Sequence, residues 1–281
     1  MIKVDNLVKK YGGFRLELSL EIPDGTVSGI VGKNGAGKST TIKAILGLIR
    51  PDAGHVTLNG KEASALTGAD KKAIGVALSD SGFSSYLRVE DVICILRKMY
   101  PDFDETFFRN NCASQGLPLD KKIKDFSTGM RAKLRVLAAI SHKADLLIMD
   151  EPTAGLDVQA RNDILDLLRQ YLMENEKRSI LLTSHISSNL EGLCDDIYLI
   201  HDGKLILHED TDAILGNYAI LKIDEKTYEK LDRRYILSTK KEQFGYVCFT
   251  GEKQFYAENY PGIVIENGNI DDLILMMTGG K

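Results

Sequence analysis

The run Gly32-Lys33-Asn34-Gly35-Ala36-Gly37-Lys38-Ser39-Thr40 constrains the fold of this chain more than any other stretch. It matches G-x-x-x-x-G-K-[ST] in full, a pattern that requires a strand before it and a helix after it. Both are legible: Thr26-Val27-Ser28-Gly29-Ile30-Val31 reads as a buried strand, and Ser39 through Leu48 carries apolar residues at helical spacing. Lacking a β-carbon, Gly32, Gly35 and Gly37 let the backbone take positive φ and approach an anion. The loop N–H groups, Asn34, Ala36 and Thr40 included, then face phosphate oxygens at a helix N-terminus. Lys38 is placed to reach the β- and γ-phosphates, and the Ser39 hydroxyl to hold Mg²⁺. A glycine-rich turn matching by chance is the alternative, and it leaves the strand and helix on either side unexplained.

Composition sets limits around that loop. With 281 residues the chain can bury one large domain, or one domain and a small appendage. A formal net charge of −4 gives no electrostatic footprint for nucleic acid, so no nucleic-acid partner is expected. Cys94, Cys112, Cys194 and Cys248 are scattered without a C-x-x-C pair, which fits a reduced interior. No apolar run approaches the roughly 18 residues that span a bilayer. The start, with Lys3 and Asp5, shows no signal peptide.

Along the chain, Ile2, Val4, Leu16, Leu18, Leu20 and Ile22 suggest antiparallel strands ahead of the loop. Tyr11, just before Gly12-Gly13, is either a packed strand aromatic or a stacking surface for a nucleobase. After a break at 50–54, Val56-Thr57-Leu58 and Asn59-Gly60 predict a strand and hairpin turn, and Ala73 to Leu78 another buried strand. From Gly82 the pattern turns helical, with a stripe of Val92, Ile93, Ile95, Leu96 and Met99 that Pro101 ends. The run Lys121-Lys122-Ile123-Lys124 reads as a solvated face. Ser127 opens a long helical stretch, and Leu146-Leu147-Ile148-Met149 is a strand buried on both faces, ending in Asp150-Glu151. Ile180 to Thr183 is another buried strand, ending at Ser184-His185, and Ser188 with Glu191 has capping-box spacing. Ile197 to Ile200 and Leu205 to Leu207 make a hairpin. Beyond Gly216 three strands (219–223, 235–237, 245–249) and a helix from Ile270 to Met277 are expected.

Asp150 stands at a strand C-terminus, where open α/β sheets bind ligands, and there it can hold Mg²⁺ opposite Ser39. Glu151 can polarise an attacking water as general base, and His185 can bond a γ-phosphate. Singly, these are a strand-end acidic pair and a core histidine. Placed at strand ends of the sheet that carries the phosphate loop, they form one constellation.

Five stretches in this order resemble the nucleotide-binding subunits of ATP-binding cassette (ABC) transporters, in particular a bacterial exporter-like branch. They are the loop at 32–40; Phe126-Ser127-Thr128-Gly129-Met130, similar to the signature L-S-G-G-Q; Leu146 to Glu151, similar to the Walker B strand and catalytic glutamate; Ala154-Gly155-Leu156-Asp157, similar to the D-loop; and Thr183-Ser184-His185, similar to the switch histidine. The resemblance covers residues 1 to about 215. It implies an α/β P-loop NTPase fold with a RecA-like core sheet, an antiparallel β-subdomain and an inserted α-helical subdomain over about 82–140. Residues 216–281 would be a small α+β appendage, similar to accessory regions of some exporter subunits.

The resemblance also implies a mechanism. Two cassettes, in a homo- or heterodimer, pack head to tail around two ATP molecules, with Ser127 and Gly129 of one chain touching the γ-phosphate held by the other. A serine hydroxyl at a helix N-terminus favours an anion. Asp157 belongs to the D-loop and Tyr11 falls at the adenine-stacking position. Three departures stand out: Phe126, Thr128 and Met130 in the signature, Ala154-Gly155 in the D-loop, and no glutamine near position 79, where Leu78-Ser79-Asp80-Ser81-Gly82 leaves Ser79 or Asp80 as the metal-side substitute.

The expected function is therefore an ATP-hydrolysing subunit, needing ATP and Mg²⁺, that powers a separately encoded polytopic membrane permease, with export as the direction. The chain would be cytoplasmic and peripheral on the inner face of the membrane. The permease would dock near 79–100, at Tyr86 and Leu87. The alternative is a soluble single-cassette ATPase in cofactor assembly or a similar role.

Overall fold

The structure is a computed structural model that describes residues 1–185 and 190–279. The expected cap at Ser188 lies outside them. β1 (Ile2–Tyr11) and β2 (Phe14–Ile22) form a hairpin in which Leu16, Leu18, Leu20 and Ile22 bury one face while charged residues alternate outward. β3 (Val27–Val31), buried at every residue, leads through the phosphate loop into α1 (Lys38–Ile45). That helix stops before Leu48 because Gly47 N–H bonds Ala44 C=O and Leu48 N–H turns back to Lys43 C=O, a Schellman ending. β4 (Ala53–Leu58) begins earlier than the sequence suggests, because β1 shifts register between Asp5 and Val8 and beyond the shift Val8 pairs with Ala53. With the short β5 (Lys61–Glu62) these strands form an antiparallel sheet in the order β2-β1-β4-β5.

After α2 (Gly68–Lys72), β6 (Ile74–Ala77) joins the central sheet. The helical region follows: α3 (Val89–Met99), α4 (Glu105–Ser114) and α5 (Thr128–Ile140). α3 buries Val89, Val92, Ile93 and Leu96, whereas Met99 is exposed, so the apolar stripe is narrower than expected. The basic run is not a plain solvated face. Ile123 is buried and its N–H bonds Leu87 C=O, while Lys124 N–H bonds Ser85 C=O, strapping the loop before α3.

β7 (Leu146–Asp150), α6 (Val158–Met173), β8 (Ser179–Ser184), β9 (Asp196–His201) and β10 (Lys204–Asp210) complete the central sheet, in the order β10-β9-β3-β8-β7-β6. All neighbours run parallel except β9 and β10. Val31 lies opposite Ser184, and Asp150 opposite Thr183. The phosphate loop, Asp150-Glu151, Ser184-His185 and Ser79 therefore leave the sheet at one edge, past the carboxyl ends of β3, β7, β8 and β6.

Beyond α7 (Thr211–Asn217), β11 (Ala219–Ile223), α8 (Glu225–Lys230), β12 (Ile236–Glu242), β13 (Gly245–Thr250), α9 (Lys253–Asn259) and β14 (Val264–Asn267) build a third sheet, β12-β13-β11-β14, over a core that includes Leu221, Cys248 and Tyr256. α10 (Ile270–Thr278) buries Ile270, Leu273, Ile274 and Met276 in the larger core together with Leu190 and Cys194. Its first N–H donates to the Glu191 carboxylate at 3.1 Å, and its last carbonyl accepts from Lys33 of the phosphate loop at 3.1 Å. Both side chains match the helix dipole. Among the described residues, no helix is long and apolar enough to cross a membrane.

Candidate functional site: the phosphate-loop cleft

The loop is held open by geometry only glycine allows. Gly32 sits at φ +152°, and a β-carbon there would lie 2.2 Å from the Ile200 carbonyl oxygen. Within the loop, the buried Lys38 ammonium donates to the Gly32 carbonyl at 2.7 Å and the Lys33 carbonyl at 3.3 Å, and pairs with Glu151 Oε1 at 3.2 Å.

Asp150 is 2% exposed, and hydroxyls surround its carboxylate. Ser39 and Thr183 donate to Oδ1 at 3.0 and 2.7 Å, and Ser79 donates to Oδ2 at 2.8 Å. No ion pair neutralises it among the described residues. A buried carboxylate set among hydroxyl oxygens is the donor chemistry that Mg²⁺ prefers when phosphates complete its shell. Among the described residues there is no cluster of three or more acidic, histidine or cysteine side chains that would make a closed metal cage.

Glu151 takes a left-handed backbone, φ +50°, and its N–H donates to Thr183 Oγ1 at 2.9 Å. This turn directs its carboxylate into the cleft, where Oε2 lies 2.6 Å from His185 Nδ1 and accepts the His185 N–H at 3.3 Å. The cleft, about 630 Å³, is lined by Asn34, Gly35, Gly37, Lys38, Ser39 and Thr40 on the loop side and by Ser79, Glu151 and His185 from the neighbouring strands.

The structure separates the two candidates that the sequence left open at the metal side. Ser79 reaches Asp150, whereas Asp80 pairs with Lys43 of α1 at 2.6 Å. That hydrogen bond holds the Asp80 carboxyl below its usual pKa and raises that of Lys43. Tyr11 is not a packed strand aromatic. It is 46% exposed, pairs across the turn with Phe14 and has the Lys9 ammonium 5.6 Å from its ring. Phe14, which sequence reasoning passed over, lines the cleft.

Ser127, Gly129 and Asp157 do not line the cleft. Ser127 caps α5 by accepting the Met130 N–H at 3.2 Å, and Asp157 caps α6 by accepting the Ala160 N–H at 2.8 Å. A β-carbon on Gly129 would come within 3.0 Å of the Ala160 β-carbon, so α5 and α6 meet closely there. Thr183 is the other residue missed. Its one signal was a hydroxyl at the end of an all-aliphatic buried strand, where it needs a partner.

A strand-borne phosphate loop facing a lysine, a buried aspartate and a glutamate–histidine pair defines a P-loop nucleoside-triphosphate hydrolase. A family model described as ABC transporter matches residues 16–154. The ABC transporter ATP-binding protein YtrB of Bacillus subtilis (strain 168) is 30% identical, over 100% of this chain and 99% of its own length. The linearmycin resistance ATP-binding protein LnrL of the same organism is 28% identical over 99% and 98%. The bacitracin transport ATP-binding protein BcrA of Enterococcus faecalis is 32% identical over 73% and 68%. A solved ATP-binding subunit of an ABC transporter superposes with TM-score 0.67 at 26% identity, covering 76% of this chain and 91% of its own. A dimeric ATP-binding cassette bound to ADP and Pi shares the fold, with TM-score 0.64 at 21% identity over 75% and 99%. The chain belongs to the ATP-binding subunits of ABC transporters. It binds ATP and hydrolyses it.

Proposed function

We propose that this subunit drives an export transporter: two cassettes close around ATP, and hydrolysis reopens them against a separately encoded permease. The observation that carries this is the division of the site. Lys38, Ser39, Glu151 and His185 line one cleft, with Asp150 buried behind Ser39 and Ser79, while Ser127 and Gly129 stand at the start of α5 outside it. A second chain can then supply its signature stretch to the γ-phosphate. Relatives named for linearmycin resistance and bacitracin transport support export. Residues 1–215 would form the ATP-binding unit and 216–281 an accessory region. The chain would sit on the inner face of the membrane through its permease. Purification of the tagged chain with ATP from detergent-solubilised membranes tests this: a stoichiometric polytopic partner is expected, and recovery with soluble partners alone would favour the soluble alternative.

Within the cleft, Lys38 exchanges its contacts with loop carbonyls and Glu151 for the β- and γ-phosphates. Tyr11 stacks on the adenine. Ser39, Asp150 and Ser79 would hold Mg²⁺, which would neutralise phosphate charge when bound. Glu151 takes the proton of the attacking water, and His185 bonds the γ-phosphate and orients Glu151. Thr183 sets the angle between the two acids, because one hydroxyl donates to Asp150 and accepts from the Glu151 N–H.

Replacing Thr183 with valine keeps the shape but leaves that N–H unpaired, a loss of about 1–3 kcal/mol. We expect kcat to fall about tenfold with the KM for ATP within about threefold, and Thr183→Ser to retain activity. Equal loss in both variants would remove the hydroxyl from this role.

At the docking face, Tyr86 is 74% exposed, whereas Leu87 packs against the core and is tied to Ile123. Tyr86 is therefore the cleaner probe. Tyr86→Ser should reduce transport about tenfold while isolated ATPase activity stays within about twofold, the effect of losing one aromatic anchor. Parallel loss of both would place Tyr86 in the fold rather than the interface.

A further inference from the structure

We propose that Arg135 is a positioning residue for the metal side of the site, clamping the backbone of Ser79 so that a short serine hydroxyl reaches Asp150. Arg135 Nη1 donates to the carbonyls of Leu78 and Ser79, at 3.1 and 3.0 Å. Among the described residues it makes no ion pair, and burial lowers its pKa. The half-buried guanidinium thus gives up part of its hydration for two backbone carbonyls.

The placement follows from how α5 meets the sheet. A β-carbon on Gly75 of β6 would lie 2.4 Å from the Ala139 carbonyl oxygen, so helix and strand are in direct contact. Arg135 precedes Ala139 by one helical turn and shares its face. β6 runs on from Gly75 towards Leu78 and Ser79, and Arg135 Nη1 meets that end. Where the family carries a glutamine, this chain has a side chain two carbon–carbon bonds shorter. A serine bridges the gap when its backbone is held close to Asp150, and one guanidinium nitrogen donating to two successive carbonyls does this. Ser127 caps the same helix, so the helix that presents the signature stretch also carries the clamp.

The proposal rests on the reading that Asp150 holds the metal, and the test separates the two. Mn²⁺ binding to the chain with a non-hydrolysable ATP analogue is followed by electron paramagnetic resonance, and amide hydrogen exchange is followed over 78–82. Arg135→Gln should weaken Mn²⁺ binding about tenfold and speed exchange there, as outer contacts to a metal ligand do. Ser79→Ala should match it, and the double variant should lose no more than either alone. Arg135→Lys, which keeps the charge on a shorter side chain, should fall between and serves if the glutamine variant does not fold. Mn²⁺ binding unchanged in the arginine variants but lost in Asp150→Asn would overturn the clamp and leave the metal reading intact. Fully additive losses in the double variant would also overturn it. Unchanged binding in Asp150→Asn would remove both.

Discussion

Glu151→Gln is expected to lower ATP turnover by about a thousandfold while leaving ATP binding intact, the middle of the range for removing a general base. The substitution preserves the side-chain shape, the left-handed backbone at φ +50° and the Thr183 contact that fixes it. The amide oxygen can still accept from Lys38, as Oε1 does, while the amide NH2 in the place of Oε2 can donate to His185 Nδ1, so the cleft keeps its side-chain contacts. What is lost is a carboxylate able to take a proton from water. Because the phosphate loop and signature surface are untouched, the bound state should persist and an ATP-containing dimer should accumulate. Single-turnover hydrolysis and size-exclusion chromatography with ATP read the two effects. Turnover within about tenfold of the parent chain would place the base elsewhere.

The parts of this site that the sequence discloses are those set by local physics. The phosphate loop is legible because its glycines, lysine and hydroxyls are contiguous. The strand ending in Asp150 is legible because a parallel strand buried on both faces reads as a continuous apolar run. What stays hidden depends on partners from other elements. Ser79 and Asp80 are both polar strand-end residues, and only the position of Lys43 on α1 draws Asp80 outward and leaves Ser79 facing Asp150. Thr183 reads as the last residue of an aliphatic strand until β7 is laid beside it. Arg135 reads as the polar flank of an amphipathic helix, because its acceptors are carbonyls on a distant strand. In the C-terminal region β14 escapes notice because Val264-Ile265-Glu266-Asn267 is short and largely exposed, so it carries little alternation. The ties of α10 to Lys33 and Glu191 escape notice for the same reason as Arg135: they join residues far apart in the chain.

Lys38→Met should separate binding from turnover in the opposite sense to Glu151→Gln. The Lys38 side chain is 5% exposed and already largely desolvated, so little reorganisation is needed for its ammonium to meet phosphate oxygens. Charge-assisted hydrogen bonds of this kind contribute about 1.5–3 kcal/mol each. Losing contacts to both the β- and γ-phosphates should weaken ATP binding by about a hundredfold or more. Methionine fills similar volume without a donor, so the Gly32 and Lys33 carbonyls and Glu151 lose their shared cation. The nucleotide-free chain should therefore also melt at a lower temperature, by an amount that reflects the loss of a buried pair. Titration with a fluorescent ATP analogue reads the affinity, and thermal unfolding without nucleotide reads the structural cost. If affinity fell with no change in melting, Lys38 would serve the phosphates while contributing nothing to the loop. If melting changed and affinity stayed within about threefold, its role would be the reverse, holding the loop together while backbone N–H groups bind the nucleotide.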